Sequence, residues 1–500
     1  MAEFWTPRTT TRARDMNDKT VAPQQHDISY VLRICAVAAL GGLLFGYDTA
    51  VISGAVEALQ QYFSLSPAET GWAVSNVVVG CIVGALGAGW VAGRLGRKKA
   101  LVLSAILFTV SAIGAAVVDS FVWFVIYRIV GGLAVGIAST VSPMYMSEVS
   151  PKDIRGRALG MQSFAIVGGQ VVVFYVNYLI AKGAADTWLV EYGWRWMLGS
   201  EVVPCILFCL FVFSIPESPR WQAMVGQDER ALRTLRRISN DAHAHHLLNE
   251  IKHSLHQDSQ GRTQKPNLRE AGLALILFVG CMLAMLQQVT GVNVMMYYAP
   301  MVLKGVTGST ESALFQTIWI GVMQLVGTII GTWLIDRVGR LPLMRVGTVG
   351  IVASLLLTSY ALYAQESGYL ALIGMLLFMV LFAISWGVGT WVLISEIFPN
   401  HMRSMGMSMA VCSMWIANFL VTQSFPMLNE HPVLIERFHG AFPMWVFAGC
   451  CVFCYWFVAR FVPETRGVSL ERMEEVMLAK LKRQPLADEE ESAALRSSRA

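Results

Sequence analysis

Charge is scarce in this sequence and missing altogether from long stretches of it. Of 500 residues only 14% are Asp, Glu, Lys or Arg, while 55% are hydrophobic and mean hydropathy is +0.52. A soluble globular chain carries about a quarter charged residues, so the composition excludes one. The runs 74–91, 100–118, 197–215, 271–286 and 442–458 hold few or no ionisable groups. Each approaches the ~20 residues that a helix needs to cross a bilayer core. The chain therefore reads as an all-α polytopic membrane protein with the lipid bilayer as its surroundings.

Other absences narrow the class further. No G-x-x-x-x-G-K-[ST] loop is present to cradle nucleotide phosphates, which leaves ATP-driven work unsupported. No hydrolase signature stands out, nothing resembles an ion-selectivity filter, and the net charge of +4 says little about partners. No enzymatic activity, cofactor, metal or nucleic-acid partner is expected. The first thirty residues are polar and mixed in charge, so no cleavable leader is expected either. The nine cysteines mostly sit inside apolar runs, and Cys451 and Cys454 lack the second pair that a C-x-x-C metal or redox site wants, so they read as packing. His243, His245, His246, His253 and His256 cluster without a cysteine to complete a ligand set, and read as one solvated helix.

What is present is a twelvefold alternation of apolar spans with short polar connections. The spans fall near 31–57, 72–93, 100–118, 121–146, 158–182, 194–215, 271–303, 313–336, 342–364, 368–397, 403–427 and 441–462. The expected organisation is a tail (1–30), a six-helix half (31–215), a partly helical insert (216–270), a second six-helix half (271–463) and a tail (464–500). Within the insert, 228–237 and 245–256 look helical. Connections after spans 2, 4 and 8 carry Arg94, Arg97, Lys98 and Lys99, then Lys152, Arg155 and Arg157, then Arg337, Arg340 and Arg345, whereas those after spans 1, 3 and 9 carry no Lys or Arg. By the positive-inside rule both termini and the insert are cytoplasmic.

The halves repeat. Arg94-Leu95-Gly96-Arg97 answers Arg337-Val338-Gly339-Arg340; Ser147-Glu148-Val149-Ser150-Pro151 answers Ser395-Glu396-Ile397-Phe398-Pro399; Pro216-Glu217-Ser218 answers Pro463-Glu464-Thr465. Three pairs in one order, at nearly one offset of about 245 residues, mark an internal duplication. All copies fall on one side of the membrane, so the repeat is parallel, an architecture of secondary transporters with a substrate site between halves. The acids Glu148, Glu396 and Asp336 alternate with Arg94, Arg97, Arg155, Arg337, Arg340 and Arg403, which reads as a salt-bridge latch at the cytoplasmic side.

Polar groups inside the spans are few enough to name. Gln287, Gln288, Thr290 and Asn293 gather around Gly291, where the helix has licence to break, and Asn293 shares a face with Tyr297. Amides both donate and accept, which suits a neutral polyol. Trp386, Trp391 and Trp415 offer apolar faces for sugar C–H groups, though none is selected by position alone. Asp48 is the one acid in LLFGYDTAVISG, and no Lys or Arg lies between Arg33 and Arg94 to pair with it. Intramembrane carboxylates are functional by default. Arg128 and Glu201 are the candidate partners, and two acids facing one arginine make a proton switch. A permanently charged structural pair is the alternative.

R-L-G-R-K-K, S-E-V-S-P-K-D-I-R-G, P-E-S-P-R-W, Q-Q-V-T-G-V-N-V-M-M-Y-Y-A-P, S-E-I-F-P-N and P-E-T-R-G together resemble the sugar porters of the major facilitator superfamily, from roughly Val31 to Leu470. Within that family G-G-L-L-F-G-Y-D-T-A-V-I-S-G and F-A-I-V-G-G-Q are most similar to bacterial proton-coupled D-xylose porters. The resemblance implies the major facilitator fold, sugar contacts from Gln170, Gln287, Gln288, Asn293, Trp391 and Trp415, and a cavity lined by Tyr297 and Phe382. It also implies that Asp48 accepts the proton beside Arg128 and Glu201, where animal facilitators have asparagine at the matching position. Ser163 and Met414 stand where the xylose pattern has glutamine, and Gln324 where it has asparagine. The expected activity is import of a monosaccharide, leaning to D-xylose, with a proton, by a monomer in a bacterial inner membrane. An uncoupled facilitator or a sugar-sensing receptor is the rival, the latter expected to carry a longer signalling tail than the thirty residues after Leu470.

Overall fold

The computed structural model describes residues 27–151, 153–261, 271–365, 369–399, 402–466 and 472–482. The expected N-terminal tail, the last nine residues of the insert and most of the C-terminal tail lie outside the described residues.

Among the described residues, twelve helices are long and apolar enough to cross a membrane: α1 (Ile28–Tyr62), α2 (Pro67–Leu95), α3 (Arg97–Val117), α4 (Phe121–Val149), α5 (Arg155–Ala181), α6 (Asp186–Val212), α7 (Gly272–Tyr297), α8 (Thr310–Val338), α9 (Arg340–Tyr363), α10 (Leu370–Ile397), α11 (Met405–Asn429) and α12 (Phe442–Phe461). Local chemistry sets their ends. Ser66 and Glu69 form a capping box before α2, with Pro67 at its first position. Gly96 and Gly339, at φ +96° and +104°, let the chain turn from α2 into α3 and from α8 into α9. A Cβ at either glycine would also press on a carboxylate, Glu217 at 2.3 Å or Glu464 at 3.0 Å.

The duplication is visible in the packing. In the first half α1 packs on α5, and α4 on both α2 and α3; in the second, α7 packs on α11, and α10 on both α8 and α9. Small residues bring the backbones together, as interhelical packing in lipid requires. A Cβ on Gly80 of α2 would lie 2.1 Å from the Ile129 carbonyl of α4, and one on Gly132 would lie 2.0 Å from that of Val77. The halves meet along α2 with α11 and α5 with α8, again a symmetric pair of seams. The insert forms helices at Pro219–Met224, Asp228–Ile238 and Asp241–Gly261, the last two joined by Ala231, Leu235, Ala244 and Leu248.

Three helices depart from their expected outlines. The seventh span breaks after Val289 and again at Tyr298, leaving the short rods Val292–Tyr297 and Ala299–Thr307. Gly291, left-handed at φ +90°, makes the first break, and a Cβ there would meet Phe447 at 2.9 Å. The sixth helix begins at Asp186 rather than near 194, because Asp186 and Glu191 mask its first turns from a hydropathy reading. The tenth carries a π-helical turn at Ala383–Gly387, a feature that often marks functional positions.

Candidate functional site

An ion pair is buried among the helices of the first half. Arg128 of α4 donates from Nη1 to Asp48 Oδ1 at 2.7 Å and from Nη2 to the Asp48 carbonyl at 3.3 Å. Arg128 and Asp48 are 1% and 0% exposed, and Glu201 beside them is 2% exposed. Glu201 lies within hydrogen-bonding reach of the Asp48 carboxyl and in the field of Arg128. Asp48 Oδ2, Glu201 Oε1 and Arg128 Nε are buried without a bond among the described residues. The arrangement has one cation, two acids and, on each acid, a buried oxygen without a partner among the described residues. The three residues singled out from sequence are thus brought together.

The amide cluster of the second half forms a chain. Gln287 donates from Nε2 to the Trp386 carbonyl at 3.0 Å, Gln288 to Gln287 Oε1 at 3.3 Å, and Asn293 to Gln288 Oε1 at 2.5 Å. The break at Gly291 is what lets Asn293 fold back on Gln288, five residues earlier. The π-helical turn of α10 presents the Trp386 carbonyl, while the Trp386 indole donates to Thr348 at 2.8 Å. Tyr297, on the same rod as Asn293, is buried within reach of Asn418 and feels the charges of Arg128 and Asp48. One side chain of the second half thereby approaches the ion pair of the first.

The remaining candidates divide. Gln170 and Gln324 each bury an amide oxygen that has no partner among the described residues. Phe382 is buried and stacked on Phe378. Trp415 is buried and reaches across the seam to Phe45, ring centroids 6.0 Å apart, whereas Trp391 is exposed. Met414 is buried and Ser163 exposed. Gln162, one residue before Ser163, went unremarked in the sequence; both its amide atoms are buried and unbonded, packed against Gly42.

At the end that carries the basic connections, the charges assemble within each half. Arg97 holds Glu148 through Nε at 2.9 Å and Nη2 at 2.7 Å; Arg340 holds Glu396 at 3.0 Å and Asp336 at 3.3 Å. Arg94 and Arg337 do not join these clusters. They lie exposed on the outer face, stacked on Trp90 at 4.8 Å and Trp333 at 3.9 Å. The reason is helical phase: a residue four positions on from an outward-facing tryptophan faces outward as well. Arg155 is exposed, and Arg403 buries Nε and Nη2 with no bond among the described residues.

Sequence reasoning saw Pro216-Glu217-Ser218 and Pro463-Glu464-Thr465 only as repeats, and missed their place in these clusters. Glu217 accepts the backbone N–H groups of Arg97 and Lys98 at 2.9 and 3.0 Å; Glu464 accepts those of Arg340 and Leu341 at 3.1 and 2.9 Å. Each caps a helix from more than a hundred residues away. Ser218 donates to Glu148 and Thr465 to Glu396. The repetition itself was the signal.

The chain is 40% identical over 476 residues to the D-xylose-proton symporter of Escherichia coli (strain K12), covering 90% of this chain and 96% of that one. It is 36% identical over 459 residues to the arabinose-proton symporter of Bacillus subtilis (strain 168), covering 91% and 97%. Its fold superposes on an inward open conformation of the xylose transporter XylE from E. coli with a TM-score of 0.80 at 37% identity, over 89% of this chain and all of that one. The family described as sugar (and other) transporter matches residues 34–477. With twelve helices in two six-helix halves, this chain belongs to the sugar transporter family.

Proposed function

We propose that this chain imports a monosaccharide together with a proton by alternating access, with a pentose, D-xylose first, as the favoured cargo. The observation that carries proton coupling is the buried Asp48–Arg128–Glu201 group. Asp48 accepts the proton from outside; once neutral it releases Arg128, and Glu201 offers a second partner, which lowers the cost of parting the pair during reorientation. Sugar binds at Gln287, Gln288 and Asn293, whose mutual bonds are exchanged for hydroxyls, with Gln170, Gln324, Tyr297, Phe382, Trp391 and Trp415 around it. The relatives' names support the same cargo class.

The basic end is the cytoplasmic end, which puts both termini and the insert (216–270) in the cytosol and the protein in the inner membrane, working as a monomer. Arg97, Glu148, Arg340 and Glu396 are the latch elements, joined by Arg155 and Arg403 from the neighbouring helices when that end closes. The latch pairs confined to their own halves, Asp48 bonded to Arg128 and the likeness to an inward open xylose transporter support an inward-facing reading after proton release.

Uptake into proteoliposomes tests this reading, with a panel of pentoses and hexoses and a protonophore. Accumulation is expected above the external concentration, and it should collapse with the protonophore. Accumulation that ignores the protonophore would exclude symport.

A further inference from the structure

At the end opposite the latch, polar bonds cross between the halves. Gln60 of α1 donates to Glu430 Oε2 at 2.8 Å, Ser75 of α2 to Gln423 Oε1 at 2.8 Å, and Gln423 to the Ala68 carbonyl at 2.8 Å. One further bond joins two formal charges. Lys304 Nζ meets Glu57 Oε2 at 2.6 Å, and the side chains are 29% and 26% exposed. Beside it runs a seam cavity of about 160 Å³, lined by Ser53, Glu57 and Gln61 from one half and by Pro300, Lys304 and Thr310 from the other. The halves are loosely packed here, so specific bonds hold them.

The two ends of this ion pair sit on the elements that carry the proposed cargo sites. Glu57 is nine residues from Asp48 on α1, about 13 Å along one rigid helix. Lys304 lies on the rod Ala299–Thr307, which follows directly on the rod carrying Asn293 and Tyr297. Both rods are set apart from the body of α7 by the break at Gly291, so they can swing without unravelling it. Glu430 stands close by. Burial pushes its carboxyl above the ordinary range, Gln60 pulls it back, and the charge of Glu57 pushes it up again. Two acids from opposite halves thus feel one another's charge, and Lys304 is bonded to one of them, Glu57.

We infer that Glu57 and Lys304 form the outer clasp of this transporter, a gating pair that holds the inward-facing state and must part before sugar can enter from outside. The inference rests on the alternating-access reading but needs no particular sugar and no proton. Removing Lys304 leaves Glu57 unpaired in the field of Glu430; removing Glu57 leaves Lys304 unpaired and relieves Glu430 of that repulsion. Lys304→Gln therefore opens the outer end further than Glu57→Gln does. A partly screened pair of this burial shifts the inward-to-outward ratio by roughly two- to fivefold.

The test is hydrogen–deuterium exchange on the full chain in lipid nanodiscs, comparing wild type, Glu57→Gln, Lys304→Gln and the charge-swapped Glu57→Lys/Lys304→Glu, alongside sugar counterflow. The single variants should exchange faster at 53–62 and 299–307 and slower around 147–157, and the swap should return toward wild type. Unchanged exchange in both single variants overturns the clasp, as does a swap no closer to wild type than the singles. Faster exchange everywhere, latch end included, means that the pair merely supports the fold and also overturns it. Wild-type counterflow is read separately: its absence condemns the transport reading rather than the clasp.

Discussion

Arg128 Nη1 and Asp48 Oδ1 lie 2.7 Å apart at a site where both side chains are almost wholly removed from solvent. Breaking a buried ion pair by deleting one member ordinarily costs about 3–5 kcal/mol, because the survivor is left charged and unpaired. Here Glu201 is within reach of the same centre and has an unbonded oxygen. Asp48→Asn should therefore remain folded, with Glu201 taking the arginine. The double variant Asp48→Asn/Glu201→Gln should lose roughly the full 3–5 kcal/mol. Thermal unfolding in detergent separates the two, and equal losses would show that Glu201 does not substitute.

The same variant separates driving from carrying. Asparagine cannot take up a proton, so Asp48→Asn should abolish accumulation against a gradient while leaving exchange of labelled sugar between equal pools. A mutant that still accumulates sugar removes Asp48 from the coupling role.

Such outliers were legible because lipid makes them costly. An acid in an apolar run, a lone arginine in α4 and a cluster of amides around Gly291 each stand out against hydropathy, and the duplicated motifs locate the latch. Facing is harder to read. Arg94 and Arg97 occupy neighbouring places in one motif, yet one stacks outside on Trp90 while the other is buried on Glu148. The turn at Gly96 sets that difference, and hydropathy does not register it. Partners distant in sequence are harder still. Nothing local says that Glu217 will cap α3, because the bond exists only once the chain has returned through α4, α5 and α6.

From this facing follows a sharp contrast between adjacent arginines. Arg94→Gln and Arg337→Gln remove exposed cation–π contacts worth about 0.5–1 kcal/mol and should leave transport within about twofold of wild type. Arg97→Gln and Arg340→Gln unpair Glu148 and Glu396, and should slow net uptake by tenfold or more, at roughly 1.4 kcal/mol per decade. Initial uptake rates in proteoliposomes decide it; a large loss in Arg94→Gln would return that residue to the latch.

The distant caps make a matched pair of tests. A side chain that accepts the first free N–H groups of a helix contributes about 1 kcal/mol, and a carboxylate at that positive end adds a few tenths more. Glu217→Ala and Glu464→Ala should each lower unfolding stability by about 1–2 kcal/mol. The sites lie in different halves and share no partner, so the double variant should lose the sum. A markedly smaller combined loss would mean that the two helix ends are coupled through the latch.

The proposed sugar site lacks or enlarges hydrogen-bonding groups at three positions, and cargo preference is tested there. Met414 is buried beside Trp415, and Ser163 follows Gln162, whose amide has no partner among the described residues. A hydroxyl buried against methionine loses its hydrogen bond, at about 1–3 kcal/mol. Met414→Gln restores an amide there, and Gln324→Asn shortens a side chain by one methylene. If these positions set preference, Met414→Gln with Gln324→Asn should tighten xylose binding by five- to a hundredfold relative to a hexose such as glucose, the range those energies span at 1.4 kcal/mol per decade. Competition against labelled xylose, run in both directions, measures the ratio. An unchanged ratio would move specificity away from these side chains, and Gln162 would be the next to substitute, because its two buried amide atoms have hydrogen bonds still to make.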